Sequence, residues 1–154
     1  MAFKRDLQVG KAGESLARKK MESLGIKTAD ADGREADFYI VIDNYKKFSC
    51  EVKYDLYAEK SGNLAIEYFN TKICKPSGID STLCHFWIHV LSPDEVYFST
   101  VENLKKFVKS TKPFRDITSG GDQNSAMFLY RKETICGPCL ILLNEESLCH
   151  LHPK

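Results

Sequence analysis

Two short runs of β-forming residues, 38–42 and 48–54, are separated by Asp43-Asn44-Tyr45-Lys46. Asp and Asn are turn residues, so the three pieces read as a β-hairpin. A hairpin constrains a chain strongly because it sets which side chains share a face. Glu51 and Lys53 are two apart and lie on the same side of their strand. If the turn closes at Asn44-Tyr45, or within a residue of it, Asp37 stands opposite Glu51 or Lys53. An even sum of paired positions puts all three side chains on one face, with opposed Cβ atoms about 4.5–5.5 Å apart. Two acids and a lysine among apolar strand residues are poor core design, so the patch calls for a chemical reason.

Metal chemistry supplies one. Two carboxylates at that separation can hold Mg²⁺, which prefers hard oxygen ligands and keeps several waters. Such an ion polarises a phosphate and acidifies a bound water. Lys53 adds positive charge, either to orient the attacking water or to steady a pentavalent phosphate. Burial and the neighbouring acids pull its pKa in opposite directions, which leaves its protonation state open. The backbone carbonyl of Val52, between the two side chains, is a further candidate ligand.

Upstream, Val9, Ala12, Leu16, Ala17, Met21 and Leu24 recur at helical spacing and predict a helix over residues 7–25, ended by Gly25. Glu14 falls at the edge of the apolar arc, close in angle to Met21, and can approach the hairpin patch. Residues 29–35 are polar and read as loop. Downstream, strands are expected at 63–69, at 82–91 as a nearly continuous apolar central strand or a buried helix–strand junction, at 95–99, at 126–131 and at 139–143, the last of which could instead start a helix. Residues 101–109 read as an amphipathic helix and 116–125 as a glycine-containing loop. Glu67 sits in the 63–69 run, which could neighbour Glu51; it is either a further active-site acid or, as alternation alone favours, a residue facing solvent.

Composition narrows the function classes. With 154 residues, 43% hydrophobic content and a net charge of +1, the chain is neither disordered nor a uniformly basic nucleic-acid coat. One domain, 1–154, is expected. No apolar run suits a membrane span, and the N-terminus does not read as a signal peptide. Six cysteines in a chain read this way suggest reduced thiols in a cytoplasmic compartment. Charge is uneven. Residues 29–67 carry nine acids and five bases, whereas 101–115 carry five bases and one acid. An acidic centre beside a basic helix suits an enzyme that holds metal ions and grips a polyanion.

The order helix-Glu, then Asp, then Glu-x-Lys on a hairpin resembles the PD-(D/E)xK nuclease superfamily. It is most similar to the small archaeal-type Holliday junction resolvases and their phage-encoded relatives. Gly10-Lys-Ala-Gly-Glu14, Asp37 and Glu51-Val-Lys53 carry the resemblance. Gly62-Asn-Leu-Ala-Ile-Glu67, Lys75-Pro-Ser-Gly-Ile79 and Phe86-Trp87-Ile88 extend it across residues 8–91. Ala36 stands where the motif has proline, and residues 132–154 have no counterpart. The resemblance implies an α/β (α+β) fold with a restriction-endonuclease-like core, a central mixed β-sheet flanked by helices. It implies cleavage of DNA phosphodiesters with Mg²⁺ or Mn²⁺, in the cytoplasm of a bacterial or archaeal cell. Asp37 and Glu51 would be metal ligands, Lys53 the catalytic lysine and Glu14 an accessory carboxylate. Homodimers are common among the junction-cutting relatives. A module that keeps the fold and binds nucleic acid without catalysis is the alternative.

The C-terminal segment offers a second constellation. Cys136, Cys139, Cys149 and His152 have a spacing that could hold structural zinc, and Cys-Gly-Pro-Cys is also a thioredoxin-like redox sequence. The plainer reading is packed, reduced thiols. His85 and His89 share a face in a strand. With no third ligand nearby in sequence, they read as hydrogen-bonded or exposed histidines rather than a metal pair.

Overall fold

The computed structural model describes residues 2–33, 35–118 and 124–151. Its first element is the expected helix, α1 (Ala2–Ser23), longer at its start than the apolar periodicity suggested. It ends as a glycine cap does. Gly25 adopts a left-handed φ of 77°, its amide donates to the Glu22 carbonyl, and the Ile26 amide donates to that of Met21, both at 3.0 Å.

A six-stranded sheet follows in the order β1-β2-β3-β6-β7-β10. Its strands are β1 (Lys27–Asp30), β2 (Phe38–Ile42), β3 (Lys46–Tyr54), β6 (Phe86–Val90), β7 (Val96–Thr100) and β10 (Ile141–Leu142). Only β3 and β6 run parallel, so the sheet is mixed. The first two residues of the stretch expected as loop, 29–35, instead end β1. An edge strand pairs through its backbone and needs few apolar side chains, and Arg18 of α1 holds this one by Asp30 at 2.6 Å and Thr28 at 3.0 Å.

A second, antiparallel sheet of four strands, in the order β5-β4-β9-β8, was not foreseen. It joins β4 (Asn63–Asn70), β5 (Lys75–Pro76), β8 (Arg115–Ile117) and β9 (Ser125–Arg131). Strands were expected at 63–69 and 126–131, but their pairing with each other spans a long sequence separation. The short helices α2 (Ala58–Ser61) and α4 (Lys132–Ile135) flank this sheet. Between them in sequence lies α3 (Val101–Ser110), capped by Thr100 Oγ1, which accepts the Asn103 amide at 3.1 Å.

The larger sheet is covered differently on its two faces. One face presents Phe38, Ile40, Cys50, Phe86, Ile88 and Val90 to Ala17 and Met21 of α1. At Gly13 the helix comes so close that an added Cβ would lie 2.7 Å from the Cβ of Tyr54. The other face meets a core shared with the second sheet and α3, built on Trp87, Leu64, Ile66, Tyr130 and Leu104. Helices therefore do not flank the central sheet alone, because a sheet takes much of one side. The segment after β9 joins this core through Ile135, Cys139 and Leu140. Among the described residues, no helix is long and apolar enough to cross a membrane.

Candidate active site

The hairpin closes with Ile42 opposite Lys46 and Phe38 opposite Cys50. Asp43 and Asn44 supply left-handed turn positions at φ 53° and 65°. The paired register stops at Phe38, where β2 ends, and Asp37, the next residue, lies near enough to Glu51 and Lys53 for both charges to act on it. The Asp37 amide donates to the Cys50 carbonyl at 2.9 Å, and its Oδ2 accepts the Val52 amide at 2.6 Å. The carboxylate thus takes the place of the next backbone acceptor on β2. Backbone groups of β3 alternate in direction. Ser49 and Asp55 bond toward β6, while Cys50 and Val52 bond toward β2. The Val52 carbonyl therefore points past the end of β2, on the side where Asp37 sits.

Glu51 and Lys53 are an ion pair, Nζ to Oε1 at 2.6 Å, with side chains 22% and 34% exposed. The ammonium lies 5.7 Å from the centroid of the Trp87 ring. Burial alone lowers the pKa of Lys53. The charge and hydrogen bond of Glu51, joined by the charges of Glu67 and Asp37, outweigh it and raise the pKa. Lys53 is therefore a cation at neutral pH, which favours charge stabilisation over proton abstraction.

Two of the acids, Asp37 and Glu14, are also shifted upward, which for a carboxyl favours the neutral form. Burial raises the Asp37 pKa, and the Glu51 charge adds to it against the Val52 amide and Lys53. Burial also raises the Glu14 pKa, with the charge of Asp37 next, against Lys11 and Arg18. Asp37, at the gap left by the end of β2, thus feels the charge of Glu51 from β3 and itself acts on Glu14 of α1. Repulsion among gathered carboxylates is relieved by a cation. Among the described residues no three His, Cys, Asp or Glu side chains are already closed on one point. Glu51 is turned to Lys53, and Asp37 to the Val52 amide.

No family model, curated protein or solved structure matches this chain.

Two contributions to the site differ from or go beyond the favoured sequence expectation. Glu67 does not simply face solvent. The strand shifts register between Glu67 and Phe69, the carboxylate accepts Ser77 Oγ at 2.6 Å, and its charge reaches Lys53. Alternation could not reveal this, because the neighbour belongs to another sheet. The second is a buried relay. Trp87 Nε1 donates to His89 Nδ1 at 3.2 Å, and His89 Nε2 lies 3.5 Å from Asp55 Oδ2. Asp55 also accepts the amides of Ala65 at 2.9 Å and Tyr57 at 3.2 Å, tying the end of β3 to β4. Burial alone raises the Asp55 pKa, but His89 and these amides hold it below its ordinary value. His89 is a satisfied core histidine beneath the ring that supports Lys53, and His85 is exposed.

The C-terminal constellation is only partly described. Cys136 and Cys139 carry free thiols. Burial pushes the Cys136 thiol up to about 11, against the nearby Lys132, and burial also raises that of Cys139. Metal binding needs thiolates, which these surroundings disfavour. The Cys149 side chain and His152 lie outside the described residues.

Proposed function

We propose that this chain is an endonuclease with a restriction-endonuclease-like core, hydrolysing DNA phosphodiester bonds with Mg²⁺ or Mn²⁺. The observation that carries the reading is the hairpin register. It ends at Phe38 opposite Cys50, so that Asp37 follows within reach of the charges of Glu51 and Lys53, takes the Val52 amide and leaves the Val52 carbonyl pointing past the end of β2. These donors suit a hard divalent cation: all are oxygens, and two are carboxylates. Asp37, Glu51 and the Val52 carbonyl would hold it, with Glu14 as the accessory acid. When bound, the cation supplies a polarised phosphate and an acidified water.

The protein's own groups do the rest. Asp37 pins the Val52 peptide and so aims its carbonyl. Lys53, charged and resting on Trp87, stands ready to offset negative charge building on a phosphate under attack. Glu67 offers Lys53 a second counter-charge once Glu51 turns to a cation. Hydrolysis adds water across one P–O bond and leaves a phosphate monoester and a free hydroxyl. The basic stretch of α3 and the residues after it, Lys105, Lys106, Lys109, Lys112 and Arg115, suits a polyanionic partner.

A panel of branched, nicked, linear and single-stranded DNA, incubated with Mg²⁺, Mn²⁺ or EDTA, tests the reading. Cutting that requires the metal and is lost in folded Asp37→Ala and Lys53→Ala is the expected result. Cutting retained in both variants refutes the assignment. Binding that ignores EDTA, with no cutting of any substrate, assigns a non-catalytic binding module instead. A molar-mass measurement alongside tests for a homodimer.

A further inference from the structure

The site face of β3 continues beyond Glu51. The preceding position on that face is Ser49, and beside it, just before β6, stands His85. Their contacts are reciprocal. The His85 amide donates to the Ser49 carbonyl at 3.0 Å and reaches Ser49 Oγ at 3.2 Å. Ser49 Oγ in turn lies 2.8 Å from His85 Nδ1, and the Ser49 amide donates to the same nitrogen at 3.3 Å. An imidazole nitrogen that accepts an amide N–H carries no proton. The neutral ring therefore holds its hydrogen on Nε2. Phe48 meets the ring edge-on with centroids 5.4 Å apart, which restrains its rotation. The residue is exposed, and among the described residues nothing hydrogen-bonds to Nε2.

A histidine left to water needs neither a chosen tautomer nor a restrained ring. This one presents a fixed N–H donor, one strand position from the carboxylates. Two further residues extend the same strip. Tyr39 stands opposite Ser49 across the hairpin, and the Lys47 ammonium lies 5.7 Å from the Tyr39 ring centroid. Tyr39 Oη donates to Asp32 at 3.1 Å, so the strip's free donors are the His85 N–H and the Lys47 ammonium. That combination fits a nucleic-acid strand whose scissile phosphate lies over the acids and whose next phosphates lie over the donors.

We propose that Ser49-held His85 donates from Nε2 to a DNA phosphate adjacent to the one cut, and that Lys47 contacts the phosphate beyond it. This rests on the nuclease reading for which phosphate is cut, but the contact itself is tested by binding alone.

The experiment uses a fluorescently labelled DNA duplex and a branched DNA. Binding is followed by anisotropy in Ca²⁺ across a salt series, and cleavage of the same DNA is followed in Mg²⁺. His85→Ala should weaken binding about three- to tenfold, the worth of one neutral hydrogen bond. The salt slope should not change, because a neutral donor releases no counterion. Lys47→Ala should reduce that slope by about one. His85→Gln, which restores an N–H donor at similar reach, should recover part of the affinity, and Ser49→Ala should lose less than His85→Ala. A folded His85→Ala protein that binds both DNAs as the wild type does overturns the proposal. Wild-type protein that binds but never cuts removes the nuclease reading and leaves His85 to be judged by affinity. Wild-type protein that binds neither DNA overturns both.

Discussion

The two faces of β3 and β6 belong to the same residues of backbone and do opposite work. Cys50, Phe86, Ile88 and Val90 point toward α1 and are at most 3% exposed. Ser49, Glu51, Lys53, Trp87 and His89 point the other way, and the row runs from an open polar edge to a buried relay. Both faces are cast by one alternation of side chains, so the apolar face that seats the sheet on α1 also aims the acids. The candidate site is therefore not a loop decoration. It is the reverse side of the core, and a one-residue slip of the hairpin would destroy both.

The largest effect should come from the apolar face. Phe86→Ala removes a 3% exposed ring and should cost about 3–5 kcal/mol in denaturant unfolding, with any residual folded protein still able to cut DNA. If folded Phe86→Ala protein binds DNA but does not cut it, the separation of roles between the faces fails.

On the polar face, Asp37→Ala should lower the single-turnover cleavage rate by about a hundredfold or more. It also strands the Val52 amide, which adds about 1–3 kcal/mol of instability. Lys53→Arg should not rescue Lys53→Ala, since a planar guanidinium does not replace a compact ammonium beside Glu51.

Two aspartates of the same strand region should give opposite pH signatures. The pKa of Asp37 is raised by folding, so the folded state holds its proton longer than the unfolded state does. Its contribution to stability is present below the ordinary carboxylate range and is lost as pH rises through its folded pKa. Asp37→Asn keeps an acceptor for Val52 and removes the repulsion. Its melting temperature should exceed that of metal-free wild type near neutral pH, and the gap should close on acidification. Asp55 is shifted downward, so its contribution is present above its unfolded pKa and is lost as pH falls through its folded pKa. Asp55→Asn should be less stable than wild type at neutral pH, with the deficit shrinking in acid. Melting curves of the three proteins from about pH 3 to 7 decide this. Added Mg²⁺ should raise the melting temperature of wild type and not of Asp37→Asn.

The smallest effect is expected at Glu67. Glu67→Gln keeps an acceptor for Ser77 but removes the second counter-charge from Lys53. A rate change of up to about fivefold, with a shifted Mg²⁺ requirement, fits a partly exposed charge pair. An unchanged metal requirement would place Glu67 outside the site.

The hairpin, its turn, and the nearness of Asp37 to Glu51, Lys53 and Glu14 were readable from the chain. Each rests on local rules: strand alternation, turn chemistry and helical periodicity act over a few residues. A buried strand was also legible within 82–91, because a nearly continuous apolar run must be covered, but its start at Phe86 was not. Ser77 meeting Glu67, His89 supporting Trp87, and Asp55 tying β3 to β4 left no such trace. Their partners lie far off in sequence or in another element, and isolated acids or histidines read as ordinary surface. The same holds for the second sheet, whose strands could be named but not paired. Local alternation sets where a side chain points, but which neighbour it meets is settled only when distant segments pack, since that choice depends on the shared burial of both.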